Sequence, residues 1–136
     1  MTQPNSPICS VCIANYNGES LLIDCLDSVL NQQCSFPFEI IVHDDASTDK
    51  SLELLDSRYP QVHVIRSKQN VGFCISNNRM VAQASGKFIL LLNNDAALAP
   101  DALDILYDES KRQANPGILT LPQYDWESGI LVDRGC

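Results

Sequence analysis

The chain has 136 residues, enough for one domain with a sizeable core, and its 45% hydrophobic and 19% charged residues are an ordinary globular balance. A formal net charge of −8, with Arg66 and Lys68 the densest basic pair, excludes general affinity for a nucleic-acid backbone. No run approaches the ~18 consecutive apolar residues of a membrane span, and the polar stretch Met1–Pro7 lacks the basic flank of a secretory signal.

Residues 1–7 read as a disordered tail, ahead of one domain over 8–136. The apolar run Ile8–Ala14 predicts a first strand, and Asn15-Tyr-Asn-Gly18 a turn. Leu22, Cys25, Leu26, Val29 and Leu30 then recur at helical spacing, with Glu19 in the favourable first turn. Cys34-Ser-Phe-Pro37 breaks this helix. Glu39–His43 reads as a second strand, followed by the polar loop Asp44–Asp49 and a helix that faces Leu52 and Leu55 inward.

Tyr59-Pro60 closes the second helix, and Val62–Arg66 reads as the third strand. Gly72–Ala84 predicts a helix closed at Ser85-Gly86, where glycine suits a left-handed cap. Phe88–Leu92 is an uninterrupted apolar run, as expected of a strand buried on both faces of a parallel sheet. Pro100 suits the first turn of a fourth helix with Leu103, Leu106 and Tyr107 inward, stopped at Asn115-Pro116-Gly117. Ile118–Leu121 and Ile130–Val132 are expected as fifth and sixth strands. Alternating strands and helices predict an α/β fold: a doubly wound, mainly parallel sheet with helices on both faces.

Strands one, two and four each stop in a polar cluster: Ala14-Asn15-Tyr16-Asn17, Asp44-Asp45 and Asn93-Asn94-Asp95. In a parallel sheet these ends share one edge, where open α/β sheets bind ligands. A carboxylate there can accept from a base N–H, Asp95 can hold a divalent cation that bridges phosphates, and Tyr16 can lie beside a nucleotide. Asp45 is read as a ligand contact, because two adjacent carboxylates repel without structural gain. Asp49, Ser47 and Thr48 are read as caps, and Asp44 is weighed between capping and the site. Asn77 and Asn78 are weighed between helix-surface amides and groups that face the nucleotide. His43 and His63 read as packed or rim side chains.

Of six cysteines, Cys9 and Cys12 form a C-x-x-C, but no second pair follows at zinc spacing. Buried, reduced thiols are expected, which places the chain in the cytosol. Zinc or redox chemistry is the weaker alternative.

Four segments carry a resemblance: Val11-Cys-Ile-Ala-Asn-Tyr-Asn17, Val42-His-Asp-Asp-Ala-Ser-Thr-Asp49, Asn70-Val-Gly-Phe73 with Asn77-Asn78-Arg79, and Gly86-Lys-Phe-Ile-Leu-Leu-Leu-Asn-Asn-Asp95. In order and spacing they resemble successive motifs of the inverting family 2 glycosyltransferases, rhamnosyltransferase-like members above all. The resemblance implies a GT-A fold that binds a nucleoside-diphosphate sugar, a UDP- or dTDP-sugar, with magnesium or manganese. It implies that Ala14 touches the nucleoside through its backbone, that Asp45 meets the base, that Asp44 shapes that loop and that Asp95 holds the cation. Asn94 stands where an acid is common.

Family members continue into an acceptor-binding half with an acidic general base. Nothing after Asp95 resembles that segment: Asp101 and Asp104 read as first-turn acids, and Asp125, Glu127 and Asp133 precede where the base would appear. The chain is therefore expected to bind the donor without a catalytic base of its own. The expected setting is cell-surface polysaccharide synthesis, with a saccharide or lipid-linked saccharide as acceptor and peripheral association at the inner membrane face left open. The alternative is a degenerate, non-catalytic module for interaction or homodimerisation through an exposed apolar edge.

Overall fold

A computed structural model describes residues 6–115 and 117–134 of the chain. The first five residues of the expected tail, the Pro116 stop signal, Gly135 and the sixth cysteine, Cys136, lie outside the described residues. The elements follow in the order β1 (Cys9–Asn15), α1 (Glu19–Leu30), β2 (Phe38–Asp44), α2 (Ser51–Arg58), β3 (His63–Arg66), α3 (Phe73–Gln83), β4 (Phe88–Asn93), α4 (Ala102–Arg112), β5 (Gln123–Tyr124) and β6 (Leu131–Asp133). The first four strands form one parallel sheet in the order β3-β2-β1-β4. The chain winds from β1 to β3 in one direction and then crosses to β4 on the other side of β1. The gap between the ends of β1 and β4 is thus a topological switch point.

Alternation along β1 divides the core between two layers. Cys9, Val11 and Ile13 pack with Leu22, Cys25, Leu26 and Val29 of α1, Leu55 of α2 and Leu103 of α4. On the opposite face Cys12 and Ile41 meet Met80 of α3. Helices therefore cover both faces, as the residue pattern predicts. The α1 stripe at residues 22, 25, 26 and 29 is fully buried, and each large apolar side chain in it stabilises the fold by roughly 1.5–3 kcal/mol. The two cysteines of the C-x-x-C fall on opposite faces of β1. Burial raises the thiols of Cys9 and Cys12 to about 11 and that of Cys25 to about 12, so they stay protonated.

Four local expectations are corrected. β4 is an edge strand, and half-buried residues alternate with exposed ones along it, so that Ile89 and Leu91 face outward. The run Ile118–Leu121 forms no strand, and Ile118 is 90% exposed. The last strands instead form a small antiparallel hairpin, β5 with β6, turned by Gly129 at φ 67° with Asp125 accepting from Ser128 N–H and Oγ–H. Gly86 does not take a left-handed conformation. It is needed because a Cβ there would overlap the backbone of Cys9 and Ser10. The positive φ, 87°, belongs to Gly72 at the start of α3. Pro100 stands one residue before the α4 N-cap, Asp101. Among the described residues no helix is long and apolar enough to cross a membrane.

Candidate functional site

The C-terminal ends of β1, β2 and β4 converge as the topology requires. Between them lies a cleft of about 320 Å3, lined by Ala14, Asn15, Tyr16, Asp45, Asn70, Gly72, Phe73, Ser76 and Asn94. A larger recess of about 540 Å3 lies beside β4 and α4, but no carboxylate, side-chain amide or basic group lines it. The smaller cleft holds the groups able to orient a polar ligand and is the candidate site.

Each residue there is placed by a traceable local cause. Asp44 and Asp45 follow one another, so the pleat sends them to opposite faces. Asp44, with no exposed surface, turns inward: Oδ1 accepts from Ser47 N–H at 3.0 Å, and Oδ2 accepts from Ser47 Oγ–H at 2.7 Å and Asn15 Nδ2–H at 3.0 Å. Asp45 turns toward the cleft. Its two carboxylate oxygens accept the backbone N–H groups of Val71 and Gly72, each at 2.8 Å. One carboxylate thereby fixes both the loop after β3 and the first turn of α3. Asn15 is 1% exposed, and its Oδ1 accepts from Asn94 Nδ2–H at 3.0 Å.

The loop after β2 is tied to the turn after β1. Asn17, at φ 48°, accepts through Oδ1 from Thr48 N–H at 2.7 Å, and its own N–H donates to Ser47 Oγ at 2.9 Å. Asp49 caps two helices: Oδ2 accepts from Glu19 N–H at the start of α1, and Oδ1 from Ser51 N–H at the start of α2. Burial pushes the Asp49 carboxyl up, but the hydrogen bonds from Ser51 and Glu19 outweigh it and hold the group below its ordinary 3.8.

The remaining candidates fall elsewhere. Asp95 is exposed, and its carboxylate makes no hydrogen bond or ion pair among the described residues. No group of three acidic, histidine or cysteine side chains able to hold a metal occurs among those residues. Asn77 is nearly buried, and its Nδ2–H donates to Phe73 O within α3, while Asn78 is exposed on the same helix. His43 is buried under α3; burial lowers its pKa, and its Nδ1 has no partner among the described residues. Tyr16 is 52% and Phe73 59% exposed, so two aromatic faces stand at the cleft.

Asn70, Gly72, Phe73 and Ser76 line the cleft although sequence reasoning assigns them no role in it. The signal was available: Asn70-Val-Gly-Phe73 sits between strand three and a helix, and a parallel sheet brings that junction to the same edge as the other strand ends.

A family model described as "Glycosyl transferase family 2" matches residues 10–129. The chain is 34% identical over 133 residues to chondroitin synthase of Escherichia coli, covering 95% of this chain and 19% of the relative. It is 37% identical over 130 residues to poly(ribitol-phosphate) beta-glucosyltransferase of Bacillus spizizenii, covering 92% of this chain and 20% of that protein. The chain thus spans about a fifth of the length of these relatives. Among solved structures, S. aureus TarS 1–349 in complex with UDP-GlcNAc superposes with a TM-score of 0.69 at 24% identity, covering 82% of this chain and 37% of that one. That likeness concerns the fold alone.

Proposed function

The chain belongs to glycosyltransferase family 2, and from that premise we propose that its cleft binds a nucleoside-diphosphate sugar, a UDP- or dTDP-sugar, as donor for inverting transfer to a saccharide or lipid-linked acceptor. One observation carries this reading. An anchored carboxylate, a buried amide and two exposed aromatic faces meet at the switch-point edge of a parallel sheet. Tyr16 and Phe73 offer surfaces for a base to stack on. Asp45, the backbone of Ala14, Asn15 and Asn94 offer polar contacts to the nucleoside.

A divalent cation, magnesium or manganese, fits as a ligand that enters with the diphosphate. Magnesium is commonly held by one or two carboxylates plus substrate phosphates, and the exposed Asp95, unpaired among the described residues, supplies one such carboxylate. When bound, the cation neutralises charge on the leaving diphosphate. In an inverting displacement the acceptor oxygen bonds to the anomeric carbon as the diphosphate leaves from the opposite face, and a general base takes the hydroxyl proton. We assign that base to no residue of this chain, which is read as the donor-binding part. The polysaccharide-synthesis relatives favour an acceptor on the cell-surface pathway, and on this reading transfer takes place in the cytoplasm or at the inner membrane face.

Calorimetric titration of UDP and dTDP, with manganese and with EDTA, tests the reading. The expected outcome is binding that strengthens with manganese; no affinity for either nucleotide in either buffer sinks it. A second reading is favoured by the exposed Ile89 and Leu91 on edge strand β4. On that reading the chain is a non-catalytic, self-associating module, and light scattering would find a stable dimer with no nucleotide affinity.

A further inference from the structure

We propose that Asn94 is a positioning residue: its side-chain amide is the last donor of a one-way hydrogen-bond relay, Asn94 to Asn15 to Asp44, that locks the turn bearing Asp95 to the ends of β1 and β2. The role in ligand binding rests on the donor-site reading above; the relay itself does not.

The polarity of the relay follows from charge. Asp44 is fully buried and, as a carboxylate, can only accept. It therefore turns the Asn15 amide so that Nδ2–H faces it, at 3.0 Å, which leaves Asn15 Oδ1 pointing toward β4. A buried carbonyl oxygen needs a donor, and Asn94 Nδ2–H meets it at 3.0 Å. Ser47 reinforces the same direction: its N–H and Oγ–H both donate to Asp44, and its Oγ accepts from Asn15 Nδ2–H at 3.3 Å and from Asn17 N–H. Gly18 confirms how closely the pair is enclosed, since a Cβ at that position would overlap both Asn15 Oδ1 and Asn94 Nδ2.

An amide is thus required where a carboxylate would seem the better partner for a cation. An aspartate at position 94 would set an acceptor against an acceptor. Asn15 could answer only by flipping, which would turn its Oδ1 toward the buried charge of Asp44. The turn that presents Asp95 would lose its tie to β1 in either case.

Four proteins test this: the natural chain, Asn94→Asp, Asp44→Asn, and the double variant. The double variant reverses the relay and keeps the net charge. In it the amide introduced at position 44 donates to Asn15, and Asn15 donates to the carboxylate introduced at position 94. UDP affinity is measured in manganese and in EDTA, alongside the melting temperature. Each single variant is expected to weaken manganese-supported UDP binding by roughly tenfold, the cost of one unsatisfied buried group. The Asn94→Asp loss is expected to be larger in manganese than in EDTA, whereas general loosening of the fold would lower both alike. The double variant is expected to recover to within about twofold. Asp44→Asn adds no negative charge, so its loss cannot come from repulsion, and its recovery when Asn94→Asp is added, which puts a carboxylate back, follows from the reversed relay. Tighter or unchanged binding by Asn94→Asp, or a double variant that sums the two losses, overturns the proposal. If the natural chain binds no UDP, the donor-site reading falls instead. The relay is then judged on melting temperature: loss in the singles and recovery in the double keeps it, and additive loss removes it.

Discussion

The two sides of the cleft are built in opposite ways. On the β2–β3 side Asp44 and Asp45 are buried, and the two carboxylates accept three and two hydrogen bonds from the protein itself. On the β4 side Asp95 is exposed and bonded to nothing among the described residues. A carboxylate anchored by its own chain is pre-organised and holds structure; a free one waits for a ligand to complete it. One side of the site is therefore finished by folding, and the other is finished by what binds. Substitution of the buried carboxylates should cost stability, and substitution of Asp95 should not.

The sharpest way to break this contrast is Asp45→Ala. It leaves the Val71 and Gly72 N–H groups without their acceptor at the start of α3. We expect a loss of about 2 kcal/mol, since a part-buried donor stripped of its partner costs about 1–3 kcal/mol. In urea denaturation the midpoint should fall by roughly 1 M at a slope ordinary for a small domain. Asp45→Asn keeps one acceptor oxygen and should lie between. An unchanged midpoint would mean that the α3 start is not held from β2.

Acid sharpens the same contrast with a smaller effect. Asp49 joins α1 to α2, and its folded-state pKa lies below the ordinary 3.8 because its hydrogen bonds favour the ionised form. A depressed folded pKa stabilises the fold fully above the unfolded value, and that stability is lost as pH falls through the folded one. Thermal melts should therefore lose stability below pH 3.8. Asp49→Asn keeps one acceptor oxygen for two N–H groups, so it should start lower by about 1 kcal/mol at neutral pH, the net worth of one hydrogen bond, and fall less steeply in acid. Parallel pH curves for the two proteins would remove Asp49 from the linkage.

The sheet was legible because parallel strands leave long apolar runs and the helices leave stripes at 22, 25, 26 and 29. The convergence of Asn15, Asp45 and Asn94 was legible too, since parallel strands end on one edge. What hid was direction. Adjacent carboxylates at 44 and 45 look repulsive in sequence, but the pleat separates them, and each finds its own donors. The run at 88–92 reads as doubly covered because apolar composition records what a strand can bury, not what its neighbours cover. The run at 118–121 resembles a strand for the same reason. Helical spacing likewise leaves Asn77 and Asn78 undecided, although one bonds within α3 and the other faces solvent.

The smallest expected effect on stability is the most discriminating. Asp95→Ala removes an exposed carboxylate with no partner among the described residues, so the urea midpoint should shift by no more than about 0.5 kcal/mol in equivalent stability. If Asp95 is the protein's share of a cation site, the same variant should bind UDP equally in manganese and in EDTA, because the metal would have lost its anchor. A variant that keeps its manganese dependence would place the cation elsewhere. A variant that loses stability would show Asp95 to be part of the fold, and the division between a finished and an open side would fail with it. Stability and metal dependence thus separate at one residue, whereas at Asp45 they fall together, since the carboxylate that would meet the base also holds the helix beside it.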